Sequence, residues 1–398
     1  MEFGGIVVGV GSVLKVRKVC KVHKIPNLLN LLNLINGQNM PRKIVTTDQS
    51  KSFVIREFEL PGLGETDIRI RVTFAAPKHG TELHSLRGSA FDRKQWDPVL
   101  RMFLPKPDPQ TADTSTASER NIGNMIVGIV TEIGAKVTRW RVGERVFGYG
   151  PICEQHQADE SQWYALGDLS EFDAMAVDPA HVAFVAVRDG NIRIGDDVAV
   201  YGLGAIGLMA VQIARAAGAR RVFAVDPLQI RRDFALAHGA EAAFDPTASD
   251  AALAIKMATG KTGVDVALET SGNSRALHDA IRCIRQCGTV VHVPWGPHDN
   301  SHLHLDEEFH LNRPTLIGSQ AWSGWGNPDR GHPLWTHERA YEAAIQLFRD
   351  HKITGQSLIT PIFDFENAPA QLAEAFAKPQ ETIKIGVNLG NRVNHHYP

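Results

Sequence analysis

Two stretches of this chain carry residue types whose spacing could do chemistry. "PKHGTELHSLRG", residues 77–88, sets His79 and His84 five positions apart around Thr81 and Glu82. An imidazole with an ordinary pKa near 6.5 exchanges protons close to neutrality and also ligates metals. Proton transfer, metal binding and a merely structural loop histidine are therefore all open from this stretch alone. The second stretch, "VAVYGLGAIGLMAVQIA", places Gly202, Gly204, Ala205, Ile206 and Gly207 where an apolar run gives way to an amphipathic one.

The elements that must position these residues differ in period. Around the second stretch, buried runs such as "DDVAVYG", "RRVFAVD", "VDVALET" and "GTVVHVP" alternate with amphipathic segments of helix length. Strands separated by helices predict an α/β, doubly wound parallel sheet of the Rossmann kind. In that setting Gly202 makes a tight turn, Gly204 lets backbone amides approach a pyrophosphate, and Gly207 allows helix to pack on strand. Asp226 ends the next strand about 20 residues on, where a carboxylate accepts from a ribose 2′-hydroxyl. The expected cofactor is NAD, because that carboxylate would repel a 2′-phosphate. Arg231 and Arg232 stand nearby as groups that could meet one.

From Met40 to about Asp178 the sequence reads instead as short strands such as "FVIREFEL" and "DIRIRVTFAA", parted by Gly and Pro turns. After residue 324 come a Trp/Gly/Pro-rich segment, a helix near "ERAYEAAIQLFRDHK" and strand-like "IKIGVNL". The expected organisation is an extension without function over 1–39, a β-rich module over 40–178, the nucleotide module over 179–324, and a tail over 325–398 that rejoins the first module. The extension is basic and Leu/Asn-rich, with Lys15, Arg17, Lys18, Lys21 and Lys24 ahead of "NLLNLLNLIN".

Bulk properties narrow the partners. The 398 residues are 43% hydrophobic and 22% charged, with 42 basic against 44 acidic side chains, so no global field favours nucleic acid or a membrane surface. A small molecule is the expected partner. Four cysteines, Cys20, Cys153, Cys283 and Cys287, form no Cys-x-x-Cys pair and no disulfide framework, which fits a reducing cytoplasm. No apolar run reaches the roughly 18 residues of a spanning helix. The histidines of "HVPWGPHDNSHLHLDEEFH", residues 292–310, are spaced too irregularly for a metal tract.

From about Arg42 to Leu389 the chain resembles the medium-chain dehydrogenase/reductase superfamily of alcohol, sorbitol and threonine dehydrogenases. The likeness rests on "HGTELHSLRG", "GNMIVGIVTEIGAKVTRWRVGERVFG", "DPAHVAFVAVRDGNIRIGDDVAVYGLGAIG" and "ETIKIGVNL". It implies a GroES-like catalytic domain joined to a Rossmann domain, with the active site between them, and a homodimer or homotetramer. It also implies hydride transfer between a secondary alcohol of a polyol, cyclitol or sugar and nicotinamide, with Val293 at the cofactor.

The chain departs from the zinc-bearing pattern. His79 stands where those members carry a cysteine, Asn124 and Met125 stand where they carry His-Glu ligands, and only Asp178 keeps ligand character. The four-cysteine zinc lobe is absent. The chain is thus similar to the zinc-independent branch that includes the bacteriochlorophyll-pathway dehydrogenases. On that resemblance His79 is the general acid/base, Thr81 and His84 relay the proton, Glu82 and Asp178 support the imidazolium, and Lys78 is a competing base. A metal on His79 and Asp178, joined by His156 or Cys153, is the alternative, and a relative that binds cofactor without catalysis is another.

Overall fold

Alternating and continuous apolar runs sort the chain into two large sheets. The computed structural model describes residues 42–78, 80, 82, 94–106, 120–295, 299–321 and 335–390. His79, Thr81 and His84 lie outside the described residues, as do residues 1–41.

Strands β1 (Arg42–Thr47) and β2 (Phe53–Phe58) form an antiparallel pair ahead of the long central strand β3 (Asp67–Ala76). Ile68, Ile70 and Val72 of β3 point into the core while Arg71 faces solvent. A second antiparallel pair, β4 (Lys94–Asp97) and β5 (Met102–Pro105), follows. Next come β6 (Gly123–Ile133), β7 (Arg145–Pro151), β8 (Gln155–Asp159) and β9 (Tyr164–Ala165). Pairing runs β3 to β6 to β7 to β9, with β8 also on β3, all antiparallel.

Helix α1 (Glu171–Asp189) leaves this sheet. The Ser170 hydroxyl accepts the Asp173 amide at 3.0 Å, and the acids Glu171 and Asp173 suit the positive end of the helix dipole. The sequence reading carried strands up to Asp178 and did not foresee this helix. Pro179, inside it, has no N–H to donate. Burial of every residue from Ala174 to His181 outweighs that loss.

Beyond α1 the chain alternates: β10 (Asp197–Tyr201), α2 (Ala205–Ala216), β11 (Arg221–Val225), α3 (Gln229–Ala237), β12 (Ala242–Phe244), α4 (Ala251–Ala258), β13 (Val264–Glu269), α5 (Ser274–Cys283), β14 (Ile284–His292), α6 (Glu308–Asn312) and β15 (Thr315–Gly318). The six strands form one parallel sheet in the order β12-β11-β10-β13-β14-β15. The order reverses at β10, which puts a crevice beside its carboxyl end. Val198 and Val200 pack toward α1 and α2, and Ala199 and Tyr201 toward α4 and α5, as period two requires.

The tail brings α7 (His337–Arg349), β16 (Ile359–Asp364), α8 (Ala368–Ala377) and β17 (Lys384–Asn388). Helix α7 lies against α1, and β17 pairs parallel with β16 and antiparallel with β3. Strands β16 and β17 therefore complete the first sheet.

Candidate active site

The register of that sheet gathers distant residues at one end of β3. Ala76 faces Met125 on β6, and Met125 faces Tyr149 on β7. Val387 of β17 faces Ala75, so the same register carries Lys384 opposite Lys78. Helix α1 then delivers Asp178 to this spot.

Asp178 is the hub. Its side chain is 7% exposed, and the Lys78 ammonium lies 3.0 Å from Oδ2 and 3.2 Å from Oδ1. Asn124 Nδ2 donates to Oδ2 at 3.0 Å, and the Tyr149 hydroxyl donates to Oδ1 at 3.0 Å. Burial by itself would raise the Asp178 carboxyl. Lys78 first, then Lys384 and the hydrogen bonds from Lys78 and Asn124, outweigh it and hold the group below its usual value. It is an anion held by three side-chain donors among the described residues.

Lys384 is buried, and its ammonium donates to the Pro77 carbonyl at 3.0 Å. Burial pulls it down to about 8, with Asp178 acting the other way. Burial, then the Asp178 charge, raises the Tyr149 phenol, so it donates as a neutral hydroxyl. The Tyr341 ring lies 6.0 Å from that of Tyr149 and 5.3 Å from that of His181. His181 is buried, its Nε2 has no partner among the described residues, and burial, then His337, lowers it to about 4. It stays neutral at physiological pH.

Glu82 is placed beside this hub. It accepts the Gly123 amide at 3.2 Å, one residue before Asn124, and burial raises its carboxyl. Its own amide donates to the Lys78 carbonyl at 3.0 Å. Sequence reasoning missed Tyr149, Lys384, His181 and Tyr341, and weighed Lys78 only as a competing base.

Among the described residues, the side chains around Asp178 do not make a zinc donor set. Zinc takes thiolate, imidazole and carboxylate. Here Asn124 turns an amide N–H toward Asp178, Met125 is a fully buried core residue, and Asp178 already accepts from three side chains. Cys153 lies in the core behind β1, its thiol raised to about 12 by burial, and His156 packs on Trp163. Among the described residues the one trio of metal-ligating side chains is His278, Glu307 and Glu308, on and beside α5 and α6. Its Glu308 already pairs with Arg282, and none of the three belongs to the Asp178 pocket.

The nucleotide loop has the geometry its glycines require. Gly202 has φ of +85°, and a Cβ there would meet Ser271 at 2.5 Å; a Cβ on Gly207 would lie 1.9 Å from the Gly202 carbonyl. Among the described residues nothing lies within 4 Å of a Cβ on Gly204. Ala205, Ile206 and Gly207 begin α2, so their amides have no partner within the helix. Asp226 accepts from the Leu203 amide at 2.7 Å and the Leu228 amide at 2.9 Å. Arg231 lies 3.7 Å from Asp226 and donates to the Thr382 carbonyl, while Arg232 pairs with Asp245 at 3.1 Å. Val293 gives its amide to the Glu269 carbonyl at 2.9 Å. The Thr270 hydroxyl donates to the Gly202 carbonyl at 2.5 Å, a support for the turn that the sequence reading did not single out.

Of the tryptophans after residue 320, Trp335 has Arg188 over its ring at 3.8 Å and Arg339 at 4.1 Å, a packing role; Trp322 and Trp325 lie outside the described residues. No helix among the described residues is long and apolar enough to cross a membrane.

Known proteins place this architecture. Residues 205–329 match the family described as zinc-binding dehydrogenase. The chain is 36% identical over 357 residues to D-guloside 3-dehydrogenase of Escherichia coli (strain K12), covering 87% of this chain and 100% of that protein. It is 30% identical over 274 residues to (R,R)-butanediol dehydrogenase of Bacillus subtilis (strain 168), covering 61% of this chain and 74% of the other. The crystal structure of 2R,3R-butanediol dehydrogenase from Bacillus subtilis matches with a TM-score of 0.68 at 25% identity, over 87% of this chain and 99% of that one. Galactitol-1-phosphate dehydrogenase from Escherichia coli, at 19% identity and a TM-score of 0.66, shares the fold. With the parallel nucleotide sheet and the separate mixed sheet, these likenesses show that the chain belongs to the medium-chain dehydrogenase/reductase superfamily, as an enzyme of its alcohol and polyol dehydrogenase type.

Proposed function

We propose that this enzyme oxidises a secondary hydroxyl of a sugar, glycoside or polyol with NAD, and that it does so without catalytic zinc. The observation that carries the reading is the Asp178 carboxylate, bonded by Lys78, Asn124 and Tyr149 where a metal would need free donors. The Gly80-Thr81-Glu82 likeness to the bacteriochlorophyll-pathway branch agrees with it. The sugar-type substrate is supported by the full-length similarity to D-guloside 3-dehydrogenase.

Gly202, Gly204 and the first amides of α2 hold the pyrophosphate, and Asp226 accepts from the ribose. Asp226 disfavours a 2′-phosphate, and both nearby arginines are already held by protein groups, which supports NAD over NADP. When bound, nicotinamide supplies the acceptor for hydride. His79 takes the hydroxyl proton as general base, and Thr81 with His84 passes it outward. Glu82 and Asp178 act through charge and position.

Enzyme dialysed against a strong chelator, with its metal content measured, is offered NAD or NADP and a panel of glycosides and polyols. NADH absorbance should rise at a zinc content well below one per chain, and faster with NAD than with NADP. Activity lost on chelation and restored by zinc would refute the metal-free reading.

A further inference from the structure

We infer that the Lys78 ammonium is the cation that meets the reacting oxygen, seated by Asp178 at the place where zinc-bearing relatives hold their metal. The inference rests on the proposed function and names the group that takes over the metal's electrostatic task.

Lys78 follows directly on β3 and precedes His79, the position aligned with a metal-binding cysteine. An ammonium has three N–H donors. The ammonium donates to Asp178 Oδ1 at 3.2 Å and lies 3.0 Å from Oδ2 as an ion pair. Among the described residues no acceptor other than Asp178 takes its remaining hydrogens. The Lys78 side chain is 37% exposed against 7% for Asp178, so the cation forms the outer face of the pair.

The surroundings hold that cation still. Lys384 clamps the Pro77 carbonyl, and the Glu82 amide takes the Lys78 carbonyl, which fixes the backbone on both sides of the residue. Asn124 and Tyr149 keep the carboxylate oriented, so the ammonium has one place to sit. Two ammoniums, those of Lys78 and Lys384, face the Asp178 carboxylate where an alkoxide develops. Preorganised donors aimed at a developing oxyanion are among the largest contributions to catalysis.

The step balances as follows. The carbinol C–H bond breaks with its electron pair passing to C4 of oxidised nicotinamide. The O–H bond breaks with its proton passing to the general base, and its electron pair becomes the second bond of the ketone. NAD is reduced, the alcohol is oxidised, and Lys78 donates a hydrogen bond to the oxygen throughout.

The test compares kcat, KM and NAD affinity in wild type, Lys78→Met, Lys78→Ala and Lys78→Arg, with thermal melting as the check on folding. Loss of the oxyanion donor should lower kcat by about 10²–10³-fold, with NAD affinity unchanged. Added methylammonium should restore part of the turnover of Lys78→Ala, a rescue that a purely structural ion pair would not show. Should the single variants unfold, Lys78→Met/Asp178→Asn removes both charges together, and its kcat should fall equally. A folded Lys78→Met or double variant with near wild-type kcat overturns the inference while the metal-free dehydrogenase stands. Wild-type turnover that requires zinc, or no turnover on any alcohol of the panel, overturns the proposed function and this inference together.

Discussion

At the nucleotide cradle, six consecutive residues, 202–207, act almost wholly through backbone; in the Asp178 pocket, five side chains arrive from five places in the fold. The cradle needs the absence of side chains, since Cβ atoms on Gly202 and Gly207 would strike Ser271 and the Gly202 carbonyl. The pocket needs charge, with Lys78 and Lys384 facing Asp178. One region should thus be sensitive to added atoms and indifferent to charge, and the other the reverse.

Asp178→Ala tests the second half of that contrast and carries the largest expected effect. It leaves the buried Lys384 ammonium without its counter-charge and frees Asn124 and Tyr149 of their acceptor. Breaking a buried ionic cluster on one side costs on the order of 3–5 kcal/mol, readable as a shift in the urea midpoint at pH 7. NAD should still bind the folded fraction. A cost below about 1 kcal/mol would mean that the pocket is held by packing and not by charge.

His181 gives an effect of similar size through pH. Its folded-state value of about 4 lies below the ordinary 6.5 of the unfolded chain. Between those two values the unfolded chain binds a proton that the folded chain refuses. The stability it contributes is complete above about pH 6.5 and is lost as pH falls to about 4, roughly 3 kcal/mol in all. Urea titrations across that window should show the loss, and His181→Phe should flatten it. An unchanged slope in the variant would place the acid sensitivity elsewhere.

The same contrast explains what could be read without coordinates. The parallel sheet was legible because each strand and helix declares itself within some ten residues, and the glycine loop, its strand and Asp226 sit in one such unit. Asp178 was legible as an acid, but the helix that carries it was hidden by Pro179, whose cost is met by burial that no local window shows. Lys384 sits between Ile383 and Ile385, all three buried, so no alternation marks it as a site residue. Its meeting with Lys78 depends on a register between strands more than 300 residues apart, and a single sequence carries no measure of that.

Gly207→Ala completes the comparison from the side of the cradle. The added methyl would stand 1.9 Å from the Gly202 carbonyl and 2.8 Å from the Thr270 hydroxyl that supports it. Neither is the loose end of a flexible side chain, so α2 must move off β10. Overpacking of this kind costs about 1–3 kcal/mol. Because the shift displaces the amides proposed to hold the pyrophosphate, most of it should appear as a weaker NAD complex, roughly ten- to hundredfold in Kd, measured by titrating protein fluorescence with NADH. The stability profile between pH 4 and 6.5 should stay as in wild type, since His181 and Asp178 lie on α1 and not on α2. If instead the variant binds NADH normally but loses the acid-dependent stability step, the two regions share one mechanical unit, and the division between backbone and charge fails.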